Sequence, residues 1–230
     1  MVRMAAENGT TDLVATPHAN MVYRFDPGLI AERRGQIEAA AEGVLQLYTG
    51  CDFHLSYDNI QDAVANPNKY TINQRCYLLV EFSELLIFKN TAEIFGRLTD
   101  AGMMPIITHP ERNSLLRQRA DEIASWVEQG AYVQITAQSV TGQFGRRAQD
   151  FCRVLLDRGL VHVVASDAHD CEHRPPVLRQ AHEWLCGRYG EPLAYTLTTG
   201  NPAATLTGKP LELPAAAVAS APRKWYQIWR

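Results

Sequence analysis

Short apolar runs recur along this 230-residue chain, and most of them end in a polar residue and give way to a longer stretch with helical spacing. The apolar runs predict strands near 12–16 (DLVAT), 44–50 (VLQLYTG), 77–81 (YLLVE), 104–108 (MPIIT), 132–136 (YVQIT) and 161–166 (VHVVAS). The spaced stretches predict helices over 1–9, 27–43, 90–101, 119–129, 146–158 and 175–188, with a short one near Asn201-Pro202. Gly102, Gly130 and Gly159 close three of them just before a strand, where a left-handed cap favours glycine. Residues 55–75 read as irregular, with Asn66-Pro67-Asn68 as a turn. Strand and helix alternate, which predicts an α/β fold with a mainly parallel sheet or barrel.

Polar groups stand where those strands end: His18, Asp52, Glu81, His109, and the pair Asp167 and His169. In a βα fold the C-terminal ends of parallel strands gather on one face. A single strand-end polar residue is most often structural, but five or more at equivalent positions indicate a shared site. Imidazoles and carboxylates without a thiolate suit manganese, iron or zinc in mixed nitrogen and oxygen coordination. Two arginines follow closely, Arg112 three residues after His109 and Arg174 five after His169. A guanidinium fork matches phosphate oxygens, and beside a water-activating metal it points to phosphoester hydrolysis. The competing expectation is local pairing, Arg112 with Glu111 and Arg174 with Glu172.

Composition narrows the class. At 46% hydrophobic and 20% charged residues the chain is an ordinary globular protein, and a net charge of -3 suggests neither a nucleic-acid partner nor a membrane surface. Five cysteines at 51, 76, 152, 171 and 186 show no CxxC spacing, so a disulfide framework or structural zinc site is not expected. None sits in a CxxxxxR phosphate loop. No apolar run approaches the roughly 18 residues of a membrane span, and MVRMAAENG lacks the apolar segment of a signal peptide, so the expectation is cytoplasmic.

Five segments together resemble one family: ATPH (15–18), LVEF (79–82), THPERN (108–113), QITAQSVTGQFG (134–145) and LVHVVASDAHDCEHRPP (160–176). They are similar to the bacterial metal-dependent protein tyrosine phosphatases of capsule and exopolysaccharide loci, in the polymerase-and-histidinol-phosphatase (PHP) superfamily. The resemblance covers about residues 5–210. It implies a distorted β/α barrel over 1–211, and composition alone makes residues 212–230 an Ala/Pro-rich tail. It also implies a cluster of two or three metals, most often manganese, with His18, Glu81, His109, Asp167 and His169 as ligands. Arg112 and Arg174 would hold the phosphate, and the substrate would be a phosphotyrosine protein, a bacterial tyrosine autokinase. A homo-oligomer stays open.

Two departures stand out. Where the family carries a glutamate after the third strand, this chain has GCDF, so Asp52 takes that role with a shorter reach. The family's first strand, with its Asp-x-His-x-His motif and nearby acidic turn, has no counterpart here, so the barrel is expected to lack a strand through truncation. His54 is a substitute ligand candidate. The rival readings are a phosphatase for a small ester such as histidinol phosphate, and a non-catalytic barrel with a degraded metal site.

Overall fold

The computed structural model describes residues 1–213. The expected tail, with its KWYQIWR end, lies outside the described residues from 214 onward. In chain order the elements begin with α1 (Val2–Glu7), β1 (Asp12–Ala15), β2 (His18–Ala19) and α2 (Pro27–Ala41). Next come β3 (Gln46–Thr49), β4 (Asp52–His54), α3 (Tyr57–Ala65), β5 (Tyr77–Glu81), α4 (Thr91–Asp100) and β6 (Met104–Thr108). Then follow α5 (Ala120–Glu128), β7 (Tyr132–Thr136), α6 (Ala137–Thr141), α7 (Arg146–Asp157) and β8 (Val163–Ala165). Last are α8 (Arg179–Tyr189), α9 (Glu191–Tyr195), a π turn over Thr196–Gly200 and α10 (Asn201–Thr207).

Every strand pair is parallel, as the βα alternation requires. β1 pairs with β3, and the remaining strands run in the order β2-β4-β5-β6-β7-β8. The two sheets are one surface. The amides of Gly50 and Asp52 donate to the carbonyls of Ala15 and Pro17, at 2.9 and 3.1 Å, and carry the pairing across both breaks.

The sheet curls. Laid flat, six strands at about 4.8 Å spacing would separate the edges by roughly 24 Å, beyond the roughly 13 Å that four extended residues after β8 can cover. Yet the rings of His18, on the first strand, and His169, after the last, lie 6.2 Å apart. Among the described residues no pairing joins the first and last strands, so the curled sheet does not close into a barrel. Side-chain alternation gives the curl two faces. Leu78, Val80, Ile107, Val133, Ile135 and Val164 face the helices and enter the main core with Phe95, Trp126 and Leu155. Tyr77, Leu79, Ile106 and Val163 point inward, into a second cluster.

Several expectations need correction. Residues 55–75 are not irregular, because α3 forms behind Ser56, whose Oγ accepts from the Asn59 amide, and it buries Ile60 and Ala63. The helix expected over 175–188 starts at Arg179 and not at Pro175, since Pro176 keeps the residue before it out of the helical region. The strand expected over 161–166 is shorter, Val163–Ala165. Gly130 and Gly159 do end their helices at φ +99° and +68°, the left-handed cap that glycine favours. No helix among the described residues is long and apolar enough to cross a membrane.

Candidate metal centre

The inward face determines what meets at the strand ends. Glu81 continues the parity of Tyr77 and Leu79, and so points inward at the end of β5. His18 and Asp52 are paired neighbours in register on β2 and β4. His109 follows Thr108, whose side chain already faces inward beside Asp52. A continued strand would therefore send His109 toward the helices. Its backbone instead turns into the left-handed region at φ +35°, which re-aims the ring inward. Asp167, after β8, is likewise left-handed at φ +48°, on the parity of the inward-facing Val163 and Ala165. Side chains other than Gly adopt the left-handed region rarely, with Asn, Asp and His the most tolerant, and such residues gather at functional sites.

The geometry is that of a ligand set. His18 Nδ1 lies 3.3 Å from Asp52 Oδ2 and 3.5 Å from Glu81 Oε2. His109 Nε2 lies 3.7 Å from Asp52 Oδ2 and 3.9 Å from Glu81 Oε1. Donors about 2.1 Å from a common cation sit about 3 to 3.5 Å from one another, close to these separations. His18 Nδ1 is buried yet makes no well-formed hydrogen bond, so it aims at the carboxylates without being satisfied by them. These residues therefore fit a divalent cation. His54 Nδ1 stands at the margin, 3.8 Å from Glu81 Oε2.

Charge tells the same story. Asp52 and then Glu81 push the His18 imidazole up to about 10. Burial favours a neutral Asp52, but His109 and His18 outweigh it and hold that carboxyl far below its usual range. Burial likewise works against Glu81, which His18 and His54 nonetheless bring down to about 2. Burial opposes charge on His109, and Asp52 overcomes it, so this imidazole is raised. The cluster thus demands positive charge, met here by protons that a cation would displace.

Beside the cluster the two arginines converge. Arg112 and Arg174 both donate to Asp167 Oδ2, and neither pairs with Glu111 or Glu172 as the local expectation had it. Phe144 lies against both, 4.7 Å from the Arg112 guanidinium carbon and 5.8 Å from that of Arg174. His169 Nδ1 turns back to its own loop, 3.0 Å from the Asp167 carbonyl oxygen and 3.8 Å from Asp167 Oδ1. A largely apolar pocket of about 340 Å³ opens beside His18, lined by Pro17, Tyr23, Phe25, Leu29 and Ile30, with Arg24 and Asp26 also on its wall.

Several supporting residues escaped the sequence reading. Glu111 is fully buried, which pushes its carboxyl above the usual range, and it accepts from the Thr136 amide at 2.9 Å, tying the loop after β6 to the end of β7. Arg117 donates to the carbonyls of Glu111 and Arg112 and fixes the same loop. Asp170 Oδ1 accepts from the amides of Glu172, His173 and Arg174, a turn that folds Arg174 back toward Asp167. Gln138 holds that turn through the His173 carbonyl at 2.8 Å. Asn59 donates to the carbonyls of Ala19 and His54 and braces the strand ends that carry His18 and His54. For the Asp170 loop the only readable signal was the Asp itself, whose side chain can accept from backbone amides two or more residues on. Burial of Glu111 had none.

Fold and site together define an α/β protein with a His/carboxylate cluster able to hold a metal ion, beside an arginine pair suited to an oxyanion. Comparison with known proteins makes this specific. Residues 1–207 match the family model described as capsular polysaccharide synthesis, CpsB/CapC, and the chain belongs to that family. It is 34% identical over 186 residues to CapC of Staphylococcus aureus, covering 78% of this chain and 72% of that one. It is 32% identical over 202 residues to the tyrosine-protein phosphatase YwqE of Bacillus subtilis, covering 86% and 79%. Against the tyrosine-protein phosphatase CpsB of Streptococcus pneumoniae, identity is 28% over 203 residues, covering 84% and 83%. Its structure matches a chain from the crystal structures of YwqE from Bacillus subtilis and CpsB from Streptococcus pneumoniae, described as metal-dependent tyrosine phosphatases. The TM-score is 0.86 at 29% identity, covering 94% of this chain and 89% of that one.

Proposed function

We propose that this chain is a metal-dependent protein tyrosine phosphatase. Its substrate is phosphotyrosine on a protein partner, a bacterial tyrosine kinase of polysaccharide export, and it works in the cytoplasm. The observation that carries the reading is the convergence of two guanidinium groups on Asp167, next to four metal-ligand side chains from four different strand ends. His18, Asp52, Glu81, His109, Asp167 and His169 hold the metal, manganese in this reading. A divalent cation held there would supply Lewis-acid polarisation and a lowered pKa for water near neutral pH.

The chain's own residues do the rest. Arg112 and Arg174 present fixed donors to the phosphoryl oxygens, and Phe144 keeps both guanidinium planes in place. Asp167 pre-aligns the arginines before substrate arrives. Thr108 Oγ1, 3.2 Å from Asp52 Oδ1, orients that carboxylate. The apolar pocket beside His18 suits an aromatic ring better than a polar small-molecule ester. A phenolic leaving group, with a pKa of about 10, departs without a strong general acid.

The test is bound manganese per chain together with phosphotyrosine-peptide turnover in His109→Ala and Asp52→Asn. Both variants should lose metal and activity in parallel. Full turnover with depleted metal in either variant would refute the ligand assignment.

A further inference from the structure

A second cavity, of about 370 Å³, opens on the far side of the arginine pair. Arg112, Arg117, Phe144, Arg146 and Arg147 line it, and no carboxylate does. Four guanidinium groups around one cavity are out of keeping with a chain whose net charge is -3. Two of the arginines have structural work: Arg112 pairs with Asp167, and Arg117 holds the main chain of Glu111 and Arg112. The other two do not. Arg146 makes only a solvent-exposed contact with Asp150 at 3.4 Å, and Arg147 makes no ion pair or side-chain hydrogen bond among the described residues. Both sit in the first turn of α7, a 12-residue helix that begins without a capping side chain, so its leading amides add positive potential on the same side. Phe144 is shared, one wall of this cavity and the plate against the clamp.

We propose that this cavity is an anion subsite that reads a negatively charged residue flanking the phosphotyrosine in the substrate chain. The inference rests on the phosphatase reading above. Because Arg112 belongs to both sites, the flanking residue lies within a few positions of the phosphotyrosine, at about 3.3 Å per extended residue. The chemistry required is an anionic side chain, either a carboxylate or a second phosphotyrosine. Arg146 and Arg147 set the preference and take no part in the chemistry.

The test uses the full chain with manganese and the double variant Arg146→Ala/Arg147→Ala. Substrates are p-nitrophenyl phosphate and three phosphotyrosine peptides whose flanks are neutral, Asp/Glu-containing, or carry a second phosphotyrosine. Peptide affinity is read in parallel by fluorescence anisotropy. The wild type should favour the anionic flanks by about 5- to 30-fold, a preference that fades with salt and vanishes in the double variant. Turnover of p-nitrophenyl phosphate and of the neutral peptide should stay unchanged. Whichever anionic peptide is preferred identifies the source of the charge. No flank preference in the wild type, or a preference that survives in the double variant, overturns the proposal. A wild type that turns over nothing yet binds anionic flanks through Arg146 and Arg147 supports the subsite and refutes the phosphatase reading instead.

Discussion

Replacing Arg174 with alanine removes half of the arginine clamp and leaves the metal ligands in place. Asp167 keeps its ion pair with Arg112, so the substitution does not strand a buried carboxylate. The Arg174 side chain is 21% exposed, sheltered enough for a charged donor to act at close to full strength. One fixed donor to developing negative charge contributes about 2.7 to 4 kcal/mol in a protected site, or roughly 100- to 1000-fold in kcat/KM at about 1.36 kcal/mol per decade. Partial exposure places Arg174→Ala near the lower end, about 100-fold. Arg174→Lys keeps the charge but not the planar fork, and should recover about tenfold of that loss. The assay is kcat/KM on a phosphotyrosine peptide, with manganese per chain measured on the same samples. Metal content should match the wild type in both variants. An Arg174→Ala enzyme within about threefold of wild type, or one that loses metal in step with activity, would contradict the clamp.

Two further predictions probe the scaffold. His162 is buried, its Nδ1 accepts the Val133 amide at 3.1 Å, and burial lowers its pKa to about 4 from 6.5. The unfolded chain therefore binds the proton more readily than the folded one between those values, so this contribution is complete above about pH 6.5 and fades toward pH 4. Between about pH 7.5 and pH 5 the wild type should lose roughly 2 kcal/mol more stability than His162→Gln in urea melts, and equal losses would refute the assignment. Asn59→Ala deletes two hydrogen bonds to the strand-end carbonyls of Ala19 and His54 and should cost about 1 to 3 kcal/mol. It should also weaken manganese binding through His18, and an unchanged metal affinity would confine Asn59 to stability alone.

Periodicity located β5, β6 and β7 to the residue, because buried parallel strands are short apolar runs bounded by glycine and polar residues. It missed α3, where Tyr57, Asp58, Asn59, Gln61 and Asp62 outnumber the apolar positions and masked the helical spacing of Ile60, Ala63 and Val64. Strand-end parity was enough to nominate Asp52 and Glu81. It could not show that His109 reaches the same centre, since that depends on a backbone turn to positive φ that no residue type announces. The pairing of Arg112 and Arg174 on one carboxylate was equally hidden. It joins the loop of Arg112 to that of Asp167, 55 residues away, and needs the curl of the sheet to bring them together. The curl itself cannot be read from strand count, and among the described residues its two edges stay unpaired.

The central claim is that phosphotyrosine hydrolysis here depends on a metal held by strand-end histidines and carboxylates. The most direct measurement is phosphotyrosine-peptide turnover after exhaustive chelation with EDTA, and again after titrating manganese back, with bound metal quantified at each point. Turnover should fall to background with the metal and return in proportion to manganese bound. Hydrolysis that persists in the metal-free chain would contradict the account.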